Sequence, residues 1–323
     1  MIAADRTIDE PSDIDLAVVG AIALDEIHSQ AGDIDQLLGG SAVYACLAAS
    51  LLAACAPISI IGDDLDRGLL QPLRDRGVRF DSVVEADGAN FRWGCQYSAS
   101  GDIRETLYTR AGVYDSVPVV VAPLHRRARI ALLTAGNPDQ NRHAMAQLIE
   151  PELVAIDTIE REVAERRDEF RAQLRHADLV SINTLEAAHL IQWPGSLDDP
   201  ALAEAAWTDI RSLGPSTFVL KKASQGVEVF QNDRRTQIGA VPDVVTIDPT
   251  GAGDSFAGGL LSSLAQGTDL IEAAVWGCAV ASFAIERFGT EGLLRASPSL
   301  VSARAGAITV RELDGSTPIG ETS

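Results

Sequence analysis

Short unbroken apolar runs alternate along this chain with longer stretches whose apolar residues recur at helical spacing. Ile14 to Gly20, Ile130 to Leu133, Leu153 to Ile156, Leu179 to Ile182 and Phe218 to Lys221 read as strands buried on both faces. Val244 to Ile247, β-branched and apolar, reads as the end of another buried strand. Helices are expected after the middle runs, through Ile149, Leu174 and Ile191. Two Ala-rich helices follow later, Ser255 to Gln266 and Ala273 to Ile285. Strand and helix alternating at this spacing define βαβ units, and so an α/β fold around a mostly parallel sheet.

Two stretches break the rhythm. From Ser41 to Ile61 the apolar run is long enough to raise a membrane question, but Tyr44, Ser50, Pro57 and Ser59 interrupt it. A buried helix followed by a strand is the expectation there. From about Val83 to Tyr114 the texture alternates residue by residue. Phe91-Arg92-Trp93, Gln96 to Ser100 and Glu105 to Thr109 flank Gly94 and the turn signal Ser100-Gly101-Asp102. That pattern suits either an edge hairpin of the main sheet or a separate small one. The tail from Glu312 is polar and expected to be loosely ordered.

Composition narrows the partners. The chain has 323 residues, 46% apolar and 22% charged, an ordinary globular profile. Lys plus Arg number 26 against 46 Asp plus Glu, a net charge of −20, which argues against nucleic acid or an anionic membrane as partner. Any phosphate site must then be made from local amides, a metal or a few bases. Cys46, Cys55, Cys95 and Cys278 show no metal-ligand spacing and read as small buried hydrophobes in a reducing compartment. His28, His125, His143, His176 and His189 are scattered and read as surface or helix residues rather than ligands. The residues through Asp13 are acidic and polar, unlike a signal peptide, so a cytoplasmic location is expected.

The candidate chemistry lies between the run ending at Ile247 and the helix from Ser255. Pro249-Thr250-Gly251-Ala252-Gly253-Asp254 puts two glycines and an acid at a helix N-terminus, where backbone N–H groups point at an incoming anion. There is no Gly-Lys-Ser/Thr of a P-loop, and Phe256 stands where a dinucleotide fingerprint needs its third glycine. An acid beside a phosphate needs a task. Asp254 could take the proton of a hydroxyl that attacks phosphorus, or it could simply cap the helix; the turn alone fits both.

The run from Asp248 to Leu261 resembles the C-terminal signature of the ribokinase-like (PfkB) carbohydrate and nucleoside kinases, and the resemblance extends over roughly Ile14 to Ala305. It implies a ribokinase-like three-layer α/β/α sandwich at 14–311. Lid segments would lie at about 29–38 and 83–115, with polar tails at 1–13 and 312–323. It implies ATP-dependent phosphorylation of a hydroxyl on a small sugar or polyol. The alternatives are the 5′-hydroxyl of a ribonucleoside, or a non-catalytic sugar- or nucleotide-binding member of the fold. By this resemblance Asp254 is the general base, and Gly251, Ala252 and Gly253 form the anion hole. Asp25, after the first strand, and the pair Gly39-Gly40 match the family's substrate motifs, with Tyr44, Phe91 and Trp93 as further acceptor contacts. Asn183 and Glu186, three apart at a helix start, fit either a capping box or a seat for Mg²⁺. The resemblance assigns Glu186 to Mg²⁺ and its waters. Ala223-Ser224-Gln225-Gly226 resembles the nucleotide-contacting turn, with Ala223 where a glycine is usual. Lys222, Ser224, Gly226, Asn183 and Gly253 would then touch ATP. Asp248 and Thr250 match the ligands of a monovalent cation, K⁺ among them. Ribokinases proper carry Asn at the place of Ala23, and Lys and Asn at those of Ser41 and Tyr44, which points away from ribose itself. An exposed lid edge implies a homodimer.

Overall fold

The computed structural model describes residues 13–98 and 104–313; the turn signal Ser100-Gly101-Asp102 lies outside the described residues. In chain order the strands begin with β1 (Leu16–Val19), β2 (Ala23–Ser29), β3 (Gly32–Gly39), β4 (Cys55–Gly62) and β5 (Val83–Ala86). They continue with β6 (Phe91–Tyr97), β7 (Arg104–Arg110), β8 (Ile130–Leu133), β9 (Leu153–Ile156) and β10 (Leu179–Asn183). The last are β11 (Thr217–Lys221), β12 (Val227–Gln231), β13 (Arg234–Ile238) and β14 (Val310–Leu313).

Ten of them form one sheet in the order β14-β13-β12-β11-β10-β9-β8-β1-β4-β5. From β11 to β5 every neighbour is parallel, and the three pairs from β11 to β14 are antiparallel. Alternate side chains explain why the runs are unbroken. Leu16 and Val18 enter one apolar cluster, while Ala17 and Val19 enter another on the opposite face. The first cluster is closed by the helices Ser41–Ala49, Ala252–Ala265 and Leu270–Ala284. The second is closed by Glu160–Glu165, Arg167–Leu174, Thr184–Ile191 and Ala201–Leu213. The result is a three-layer α/β/α sandwich. No helix among the described residues is long and apolar enough to cross a membrane.

The remaining four strands form a separate small sheet, ordered β3-β2-β6-β7, with its own cluster of Ile27, Cys95 and Tyr97. Its extent corrects the expected lid. It begins already at Ala23, before residue 29, and β5 belongs to the main sheet, paired with β4. Other expectations also change. Val244 to Ile247 forms no strand: Val245 is 70% exposed, and the amides of Ile247 and Asp248 bond Ile285 O at the end of a helix. The expected helix through Leu174 is two short helices meeting at Arg166. The chain beyond residue 311 is not all loose tail, because β14 pairs with β13 as far as Leu313. His125 is fully buried rather than superficial, its Nδ1 hydrogen-bonded to Ser82 Oγ at 2.7 Å.

Candidate active site

Parallel strands end in the same direction, and loops leaving their carboxyl ends line a common crevice. Here the small sheet closes over that crevice. Between them lies a cavity of about 230 Å³ lined by Asp25, Gly40, Tyr44, Phe91, Trp93, Tyr114, Thr250, Gly251 and Asp254, among others.

Asp25 occupies β2 of the small sheet rather than a loop, and it is 3% exposed. It accepts a hydrogen bond from the Gly40 N–H, and a Cβ on Gly39 would overlap its carboxylate. The Gly39-Gly40 pair is therefore needed to bring backbone against an acid. Gly40 itself has φ 92°, and a side chain there would lie 2.8 Å from Ala23 N. Burial, with Asp248 and Asp254 nearby, pushes the Asp25 carboxyl up to about 8 despite the Gly40 bond.

Opposite it, Gly251 takes the left-handed conformation, φ 74°, and caps the helix Ala252–Ala265. Ala252 N–H turns back to Pro249 O at 3.2 Å. Ser255 N–H closes the first intrahelical bond on Gly251 O, so the Gly-Ala-Gly-Asp stretch forms the first turn of the helix. Asp254 lies in the first turn with its residue in the cavity wall. Behind it, Asp248 is fully buried and splits its oxygens between Thr250 N–H and Gly289 N–H, both at 3.0 Å. Burial raises its carboxyl above the usual range. Thr250 Oγ1 meets Tyr97 Oη at 2.9 Å, tying this turn to the small sheet.

Two phenols complete the cavity wall. The hydroxyls of Tyr44 and Tyr114 are buried and have no hydrogen-bond partner among the described residues. Burial pushes both above the ordinary range, so both are protonated donors. The Phe91 ring meets Tyr114 edge-on at 5.9 Å. The far end is polar, with Asn137, Arg161, Glu162 and Arg166. Glu162 accepts from Gly136 N–H and Thr158 Oγ1, both at 2.9 Å, and burial pushes it up to about 7.

The expected nucleotide side is altered more. Asn183 and Glu186 form a full capping box: Asn183 Oδ1 accepts Glu186 N–H, and Glu186 Oε2 accepts Asn183 N–H. Lys222 is engaged within its own hairpin. It is bound to buried Glu228 at 2.6 Å, a carboxylate shared with Arg235. Ser224 is exposed and Gly226 is fixed by packing, since a Cβ there would overlap Ile238 O; neither lines the cavity. Ala223, at φ 49°, sits in a conformation that suits glycine. The lysine that does reach the crevice is Lys221, paired with Asp157 just past β9. The sequence reading missed both, along with Tyr114 and Glu162. Asp157 was findable, because it immediately follows an apolar strand of the parallel sheet.

Comparisons with known proteins agree with this architecture. Residues 11–296 match the pfkB family carbohydrate kinase. A cytidine kinase of Thermococcus kodakarensis is 24% identical over 288 residues, covering 85% of this chain and 98% of that protein. A nucleoside kinase of Methanocaldococcus jannaschii is 37% identical over 74 residues, 23% of this chain and 24% of its own length. Among solved structures, a ribokinase II candidate of Escherichia coli in complex with ATP and Mg²⁺ superposes with a TM-score of 0.74. It is 18% identical, covering 90% of this chain and 99% of that one. Fold and match together define a ribokinase-like kinase, a phosphotransferase with a hydroxyl acceptor. The chain belongs to the pfkB family of carbohydrate kinases.

Proposed function

We propose that this protein transfers the γ-phosphoryl group of ATP to a hydroxyl of a small sugar or polyol, with Asp254 as general base. The observation that carries the reading is that Asp254, Asp25 and the Gly251 turn share one cavity. In that cavity Asp25 accepts hydrogen bonds from acceptor hydroxyls, and Tyr44 and Tyr114 donate to acceptor oxygens. The attacking hydroxyl gives its proton to Asp254 as its oxygen forms the bond to phosphorus. The backbone amides of the Gly251 to Asp254 turn stabilise charge on the transferring group, each well-placed donor contributing on the order of 3–4 kcal/mol. The small sheet excludes water from the acceptor.

Among the described residues no three His, Cys, Asp or Glu side chains cluster to hold a metal. A single carboxylate, Glu186, beside nucleotide phosphates and water still suits Mg²⁺, which is seldom caged by protein alone. Bound there, Mg²⁺ would neutralise phosphate charge. Asp248 and Thr250 would hold a monovalent cation such as K⁺. A homodimer would pair through the edges β3 or β7 of the small sheet.

A nucleoside is the second reading. It is favoured by the aromatic wall of Phe91, Trp93 and Tyr114, which would pack on a base, and by the polar far end, which would read its edge. A coupled ADP-release screen across sugars, inositols and nucleosides, with and without K⁺, decides between them. Asp254→Asn should retain fold and ATP affinity while turnover falls at least about a hundredfold. A near-normal rate removes Asp254 from the base role.

A further inference from the structure

Lys221 ends β11 next to Asn183 at the end of β10, on the crevice side of the sheet. Its Nζ donates to both oxygens of Asp157, at 2.7 and 2.6 Å, and its side chain is only 14% exposed against 3% for Asp157. The ammonium also abuts the anion-binding turn: a Cβ added to Gly253 would lie 2.9 Å from it. Burial disfavours its charge, but Asp157, with the carboxylates of Glu186 and Asp254, outweighs that and holds it protonated. One cation thus stands among three acids at a helix N-terminus. A buried ion pair by itself adds little to stability, because desolvation offsets the attraction. A phosphate entering this crowd of acids needs a positive neighbour, and the net charge of −20 supplies none at long range.

We propose that Lys221 is a further catalytic residue, its ammonium contacting the transferring phosphoryl group, with Asp157 as the positioning residue that aims it. This rests on the kinase reading above. In the step, an acceptor-oxygen lone pair forms the bond to the γ-phosphorus. The bond from that phosphorus to the bridging oxygen breaks, its electron pair leaves on ADP, and the acceptor proton goes to Asp254. Lys221 exchanges no proton; it offsets charge on the phosphoryl oxygens as they pass between the two partners.

The test compares Lys221→Met, Lys221→Arg and Asp157→Asn with wild type by calorimetric binding of ADP and of the β,γ-imido analogue of ATP, both with Mg²⁺, alongside turnover. Lys221→Met should weaken the analogue at least tenfold while ADP stays within about threefold. Its kcat should fall about a hundredfold or more, with Lys221→Arg recovering part of the loss. Asp157→Asn should lower kcat with a smaller effect on the KM for ATP. Equal loss for both nucleotides, or kcat within threefold of wild type with only a lower Tm, would make the pair structural and overturn the proposal. Should Lys221→Met fail to fold, the double variant Lys221→Met with Asp157→Leu removes both charges and gives the same readout. If wild type phosphorylates no acceptor, the kinase reading fails, while the difference between analogue and ADP still reports on Lys221.

Discussion

The ring of Tyr44 lies directly against the main chain of Gly251, so closely that any Cβ there would overlap the ring. One contact thus joins the helix that follows Gly39-Gly40 to the turn that starts the helix of Asp254. Gly251 must also be left-handed, at φ 74°. Sterics and backbone conformation therefore both demand glycine at this position.

Gly251→Ala should displace that turn. We expect a stability loss of about 1–3 kcal/mol from overpacking and a turnover loss of at least about tenfold as the first-turn amides move. Thermal melts and ADP release check this. Wild-type values for both would mean that the Tyr44 ring simply yields.

Asp25 predicts a pH dependence. Its carboxyl titrates near 8 in the fold against an ordinary 3.8, so between these values the folded chain holds a proton the unfolded chain has lost. Stability from this group is full below about pH 4 and is lost as pH rises through about 8. Glu162, raised from 4.5 to about 7, slopes in the same direction. Asp25→Asn should therefore stabilise the ligand-free protein at pH 8 by at least about 1 kcal/mol, while acceptor affinity falls. Denaturant melts of both proteins at pH 5 and pH 8 would show it, and an unchanged slope would refute it.

Tyr114 carries a buried hydroxyl without a partner among the described residues. Tyr114→Phe should leave stability unchanged or raise it by up to about 1 kcal/mol, and raise the KM of the true acceptor about five- to tenfold. If no acceptor found in the screen shows a changed KM, the hydroxyl does not face the acceptor.

Ala223 stands at φ 49°, where glycine carries no Cβ penalty. Ala223→Gly should raise stability by about 0.5–1 kcal/mol, seen as a Tm higher by about 1 °C. A lower Tm would mean that the gained chain entropy outweighs the relieved strain.

The strands were legible in the sequence because burial on two faces forces unbroken apolar runs, and Leu16 to Val19 shows both faces filled. The Gly39-Gly40 entry was legible too, since glycine chemistry acts within a few residues, whereas the helix expected from Ser255 begins three residues earlier, at Ala252, with Gly251 rather than serine at its cap. The Val244 to Ile247 run misled because β propensity records what a strand would accept, not whether a neighbour exists to pair with it. The sequence alone thus determined the layers and the glycine turn that begins the helix of Asp254. Which of Lys221 and Lys222 faces that turn was decided by tertiary structure, because Glu228, across the hairpin, claims Lys222, and Asp157, two strands away, claims Lys221. Periodicity is a local consequence of burial. A site built from strand ends far apart in the chain exists only once the sheet has brought them side by side.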